Sequence, residues 1–236
     1  MSKDDLVLTS GTYQIDAASH GLSGKDGIHA ENADDTSLGF VYLADGTFDI
    51  TSDGDGISAG NWLQADGGVY TVKAGGGSEN VQKSDGEWQF GPGQQTESTD
   101  TTEEDTVSMK AIKAAGELIL KGGKYSLDSA DDTIHSNANV TISDGEFTLA
   151  SGDDGIHADS ATTISGGTID ITESYEGIEG LSIDITGGET YVSGPTNDGN
   201  SALDYNGTGT VTEESLLLPV HPEWRRISEI LLHREL

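Results

Sequence analysis

The chain has 236 residues, of which 42 are acidic and 11 basic, giving a formal net charge of −31, and it contains no cysteine. A surplus of that sign excludes nucleic acid and anionic lipid as partners, because both need lysine and arginine to neutralise phosphate. The lack of cysteine excludes disulfides, thiolate metal sites and thiol nucleophiles, which leaves cation binding or a self-repelling, solvated surface.

Taken in chain order, Met1–Asp5 lacks the apolar core of a signal peptide, and no apolar run is long enough to span a bilayer. From Gly11 onward a glycine recurs as a marker. Gly11, Gly46, Gly68, Gly123, Gly145 and Gly167 each precede apolar or aromatic residues at +2 and +4: Tyr13/Ile15, Phe48/Ile50, Tyr70/Val72, Tyr125/Leu127, Phe147/Leu149 and Ile169/Ile171. That is the strand period, with both members on one face. Leu22, Ile57, Ile134, Ile156 and Ile178 stand at +11, with Glu79 alone breaking the series, and a further inward pair such as Leu118/Leu120 or Val140/Ile142 follows. The spacing is 22 residues from Gly46 to Gly68, Gly123 to Gly145 and Gly145 to Gly167. One such turn holds three short strands, cannot bury its own apolar face and must stack. The predicted fold is all-β, a parallel β-helix over residues 1–212 with Ile112, Ile134, Ile156 and Ile178 as one internal ladder. The LxxLxL frame of leucine-rich repeats is absent.

Three segments depart from the period. Leu22 and Ile28 read as ladder residues six apart, as if sixteen residues of a turn were missing. Residues 75–109 carry no period and little apolar content and read as a projecting mobile loop. After Thr212 glycine vanishes, and residues 213–236 hold all three arginines. With Pro222 at a first helical position and Trp224, Ile227 and Leu231 on one face, this tail reads as a capping helix or as a non-native end.

The repeat also stacks acids. Ser129–Ala150 and Ser151–Thr172 share nine positions, including DDxIH, which sets Asp153/Asp154 over Asp131/Asp132. Strands lie roughly 4.8 Å apart, so such carboxylates repel by about 1 kcal/mol in water and about 3–4 at an effective dielectric near 20. A hard cation removes the penalty, and calcium mixes carboxylate and carbonyl oxygens freely. The candidate metal ligands are Asp131, Asp132, Asp153, Asp154 and Glu176, with Asp26, Asp53 and Asp55 as an earlier cluster. Against this stands plain turn chemistry, in which Asp side chains bond nearby amides. His29, His135 and His157 follow the ladder residue and project beside the acids as partners of the aspartates, as metal ligands or as sugar donors. Tyr175 beside the column, His135, His157 and Trp62 are the carbohydrate-binding candidates, since pyranose rings stack on flat rings; Trp88 falls in the loop.

No catalytic residue is assigned. Paired carboxylates serve glycosidases, but the basic RIK-like and Gly-His-Gly elements of polygalacturonases are missing, His20 sitting in Ser-His-Gly. A lyase needs an Arg or Lys base beside the ion, and the DDxIH column reads as free of both. A lyase or hydrolase, or a structural surface adhesin, remains the alternative.

DDTIHSN, SGDDGIHAD, ITESYEGIEG and GNSALDYNG resemble the bacterial, clostridial-type carbohydrate-binding β-helix family related in shape to pectate lyases. The resemblance runs over about Ser2–Thr212 and is specific in Ala130–Tyr205. It implies a right-handed parallel β-helix, bound Ca2+, secretion to the cell surface or beyond, and non-catalytic binding of plant cell-wall polysaccharide of the cellulose or polygalacturonate type. It also implies that Asp131/Asp132, Asp153/Asp154 and Glu176 are calcium ligands, and that the chain is a partial one.

Overall fold

The computed structural model describes residues 2–17, 25–80, 107–193 and 201–211, and the backbone of 216–220, 223–227 and 230–232. Its described residues are almost wholly strands, paired in parallel from Leu6 to Leu217. Among the described residues no helix is long and apolar enough to cross a membrane.

Each turn contributes a short strand, a second short strand and a six-residue strand, and each pairs with its counterpart one turn away. Ile134–Ser136 pairs with Ile156 to Ala158, Val140–Ile142 with Thr162 to Ile164, and Lys124–Ser129 with Glu146–Ser151. Ile156–Ile164 and Ile178–Ile185 run through both short-strand positions, which merges those two ladders into one 14-stranded sheet. The six-residue strands, continued by the shorter Glu189–Val192, Leu216–Val220 and Glu223–Ile227, form a second, nine-stranded sheet.

The period-2 reading is confirmed strand by strand: Lys124–Ser129 and Glu146–Ser151 alternate between outward and buried positions. Ile28, Ile57, Ile112, Ile134, Ile156 and Ile178 form one continuous buried ladder. Beside it Tyr13, Phe48, Tyr70, Tyr125 and Phe147 stack with ring centroids 4.5–5.0 Å apart and planes within 8°. Tyr70 and Tyr125 send their phenol groups back to the carbonyls of Gly67 and Gly122 at 2.7 and 2.9 Å, so the ladder buries no unpaired hydroxyl. The marker glycines hold the corner before the long strand. Gly145 has φ +128, and a Cβ there would meet the Phe147 ring at 2.8 Å.

Two departures resolve differently from the sequence reading. No turn is missing: Thr12–Ala17 pairs directly with Thr47–Ser52, and Ile28 is the ladder residue of the turn that Gly11 opens. That turn is longer at its corners, where added residues leave strand register untouched; Leu22 lies outside the described residues. The tail forms strands instead of a helix. Leu216–Val220 extends the long-strand sheet, Glu223–Ile227 returns antiparallel to it, and Ile230–Leu232 pairs antiparallel with Gly209–Val211. A strand satisfies the open amides and carbonyls of the last turn, which a helix laid across them would leave unmet.

The 75–109 segment leaves and rejoins at one corner. Gly75–Gly77 turns with positive φ into the 3-10 helix Ser78–Asn80, and the chain returns through a buried Met109. Residues 81–106, including Trp88, lie outside the described set.

The burial pattern sets a clear contrast. Ile134→Ala, at a fully buried rung, should cost about 2–5 kcal/mol, whereas Leu181→Ala, 57% exposed, should stay within about 0.5 kcal/mol. Urea unfolding of the two variants measures the difference.

Candidate functional site

The corner between each long strand and the ladder isoleucine carries the acids. Buried Ser52, Ser129 and Ser151 end the long strands and donate to the carbonyls of Gly54, Asp131 and Asp154 at 2.8–2.9 Å, which folds the corner and turns the acids outward. The register then superposes Asp26, Asp55, Lys110, Asp132, Asp154 and Glu176, each two residues before its ladder isoleucine. One residue past the ladder position, His29, Ser58, Lys113, His135, His157, Glu179 and Asp204 form a second row.

Most column carboxylates have internal partners. Within a turn the carboxylate meets the imidazole three residues on: Asp26 with His29, Asp132 with His135 at 2.7 Å and Asp154 with His157 at 3.2 Å. Between turns it accepts the next column amide. Asp26 takes the N–H of Asp55 at 3.0 Å, Asp55 that of Lys110 at 2.9 Å, and Asp132 that of Asp154 at 3.1 Å. These amide bonds run between turns and not within one Asx turn, and His29 and His135 are partners of the aspartates in the lower column. Asp53 stands on the same corner, its N–H bonded to the Ala17 carbonyl at 3.2 Å.

The column is not free of lysine, contrary to the sequence reading. The aperiodic segment between Ala74 and Ile112 delivers Lys110 to a column position and Lys113 to the histidine row. Lys110 Nζ lies 2.7 Å from Asp131 and 2.8 Å from Asp132, and Lys113 Nζ lies 3.5 Å from Asp55. Burial opposes the Lys110 charge, yet Asp132 and Asp131 hold the ammonium above its ordinary range. Burial likewise opposes ionisation of Asp132, but His135 and Lys110 hold its carboxyl well below the usual range.

Above Asp132 the pattern fails. The long strands slip register between Leu149 and Ala150, where Glu173 takes the place opposite Ala150. Asp154, 5% exposed, is left with a buried Oδ1 that has no hydrogen-bond partner, while its other oxygen faces His157. His157 Nδ1 is also 3.0 Å from Glu179. Asp154, His157 and Glu179 bring ligand atoms within 4.8 Å of one another, and so do Glu176, Glu179 and Asp204. A groove of about 350 Å³ opens over them, lined also by Asp153 and by Tyr175, a residue 53% exposed.

Crowded acids retain protons. Burial, with the neighbouring Glu179 carboxylate as a hydrogen-bond partner for the protonated form and the charges of Asp132 and Asp153, pushes Asp154 up to about 8. Burial, with Asp204 and Glu179, pushes Glu176 up to about 7. The Asp154 hydrogen bond and surrounding acids draw His157 up to about 9. Asp154 and His157 are one linked pair, which keeps a proton into the alkaline range.

Glu179, Asp204 and Lys110 were missed by sequence reasoning. Glu179 was legible, since it follows Ile178 as His157 follows Ile156. Trp62 lies away from this groove, at the next corner, stacked face to face on Phe40 at 4.4 Å, so one ring face is covered. Tyr175, His135 and His157 do line the groove.

A family model described as carbohydrate-binding domain-containing protein matches residues 23–155. No curated protein and no solved structure matches the chain.

The raised acids and His157 bind protons more tightly folded than unfolded. In chelator, stability should therefore fall as pH rises from about 4 to about 9. Denaturation midpoints at about pH 5.5 and pH 8 should differ in that sense, and a Glu176→Gln/Asp154→Asn double variant should flatten the slope. With excess calcium, which competes with those protons, the slope should shrink or reverse.

Proposed function

The chain belongs to the carbohydrate-binding domain-containing family, and we propose that it is a non-catalytic, calcium-dependent polysaccharide-binding module built as a right-handed parallel β-helix. Its place of action is outside the cell or at its surface, where polymeric carbohydrate and calcium meet.

The buried, unpartnered Oδ1 of Asp154 carries this reading. Burying that oxygen with no donor aimed at it costs free energy, which a retained proton lessens in the bare groove and a cation would offset in the proton's place. The donors within reach suit calcium: carboxylates of Asp154, Glu176, Glu179 and Asp204, in two groups that share Glu179, with room in the groove for the water or hydroxyl oxygens that complete six to eight ligands. Asp26, Asp53, Asp55, Asp131 and Asp132 extend the acidic face, and the bonds of Asp26, Asp55, Asp131 and Asp132 to amides, imidazoles and lysines make these four the weaker ligand candidates.

An ion here reverses the local charge, so a uronate polymer of the polygalacturonate type becomes a ligand that the bare column would repel. Tyr175 offers an exposed ring beside the ion for a pyranose face. Neutral cellulose-type chains would use the ring and the ion's spare coordination positions alone, which favours the uronate among plant cell-wall polymers.

One observation favours a second reading, a lyase: Lys110 borders the same groove. A general base needs a pKa near the working pH. Lys110 is held protonated by two aspartates and has no lone pair to offer.

Pull-down on polygalacturonate should be strong in calcium, weak in chelator and reduced in a folded Asp153→Asn/Asp154→Asn variant. Incubation with polygalacturonate and calcium should yield neither unsaturated-product absorbance nor new reducing ends. Equal binding in chelator would sink the calcium reading, and turnover that disappears in Asp153→Asn would sink the non-catalytic one.

A further inference from the structure

We propose that Lys110 is a tethered cation that takes the place of a metal ion in the column, confining metal binding to the turns above it and masking a second ion seat at Asp131, Asp132 and Asp153. This rests on the calcium reading of the upper groove and deepens it.

The register places Lys110 where the turns on either side place Asp55 and Asp132. Its side chain is 12% exposed, and its ammonium sits between two carboxylates of the next turn at 2.7 and 2.8 Å. Asp131, Asp132 and Asp153 bring one oxygen each within 4.8 Å of one another, the geometry of a small divalent-cation site. An ammonium at hydrogen-bond distance from two of them already neutralises that cluster, and a metal entering it would have to displace a buried charge. One turn higher there is no lysine. Glu179 and Asp204 stand in the histidine row, and Asp154 keeps its buried oxygen unpaired. The two halves of one acidic face thus solve like-charge stacking by different means, a covalently attached cation below and a diffusible one above.

Placing the cation on the chain has a consequence for solution behaviour. The lower turns do not depend on calcium, because their counter-charge arrives with Lys110 at the end of the 75–109 excursion. The upper turns do depend on it. Calcium removal should loosen the chain selectively, from the groove toward Asp204, and leave the turns below Lys110 intact.

The test counts bound calcium by titration calorimetry and equilibrium dialysis on the full chain, in parent, Lys110→Gln and Asp131→Asn proteins, with folding of each checked by circular dichroism in calcium. Lys110→Gln should bind one more calcium ion per chain than the parent, and its melting temperature should drop further in chelator than the parent's. Asp131→Asn, a mild change at a part-exposed residue, should leave the parent's calcium count and affinity unchanged, whereas Asp154→Asn should abolish binding. Equal counts in parent and Lys110→Gln overturn the proposal while leaving the calcium reading standing. Loss of parent binding in Asp131→Asn overturns it equally, even if Lys110→Gln fails to fold. Absence of calcium binding in both parent and Lys110→Gln overturns the calcium reading itself and the proposal with it.

Discussion

Parallel pairing with a fixed register places each residue directly over its counterpart one turn away, at roughly the 4.8 Å strand spacing. Everything else in this molecule follows from that superposition. Inside, like over like is favourable: isoleucine meets isoleucine, and flat rings meet flat rings with centroids under about 5 Å. Outside, like over like is favourable only for uncharged side chains. A repeated aspartate brings a carboxylate over a carboxylate at every turn, and the chain needs a separate device for each. Three devices occur along the acidic corner: the amide of the next turn, the imidazole three residues on, and the Lys110 ammonium. At Asp154, one corner past the register slip between Leu149 and Ala150, Oδ1 has neither an amide nor an ammonium partner. The unpaired oxygen in the groove is a local failure of internal pairing, not a general property of an acidic surface.

Corners carry the variation because only strands are locked by register. The closure cost of a loop rises slowly with length, by about 0.6 kcal/mol per doubling. The chain can therefore leave at Ala74, return at Ile112 and resume the ladder as if nothing had intervened. The same tolerance explains the long turn opened by Gly11. An excursion of this kind can bring in a side chain of foreign chemistry at its point of return, and here it brings Lys110 with Ser108, whose hydroxyl donates to Asp55 at 2.7 Å.

Lys110 also bears on the choice between binding and catalysis. A lysine beside an acidic groove is what a lyase would use, and position alone would favour that chemistry. Two carboxylates at hydrogen-bond distance make it a counter-ion instead, since they stabilise the protonated form that a base must give up. The membership of a carbohydrate-binding family and the electrostatics of the groove point the same way.

Much of the architecture was legible in the sequence because it obeys two short periods. Alternation at +2 and +4 after glycine located the long strands, and the 22-residue recurrence located the isoleucine ladder. Asp132 with His135, three apart in one turn, could be paired on paper. Glu179 could have been found by continuing the row from His157. Lys110 could have been found in the same way, by counting 22 residues back from Asp132, because Ile112 already reads as a ladder rung; what the sequence could not carry was the distance from its ammonium to Asp131 and Asp132. Nor could it show that Asp55, Asp132 and Asp154, alike in the repeat, differ in whether the next amide reaches them. The tail misled for a similar reason, because its apolar spacing fitted a helix while the open edge of the last turn favours strands. Local sequence determined which residues face inward, because side-chain direction follows the backbone period. Tertiary structure decided which charges are neutralised, because that depends on distances between turns that no single turn encodes.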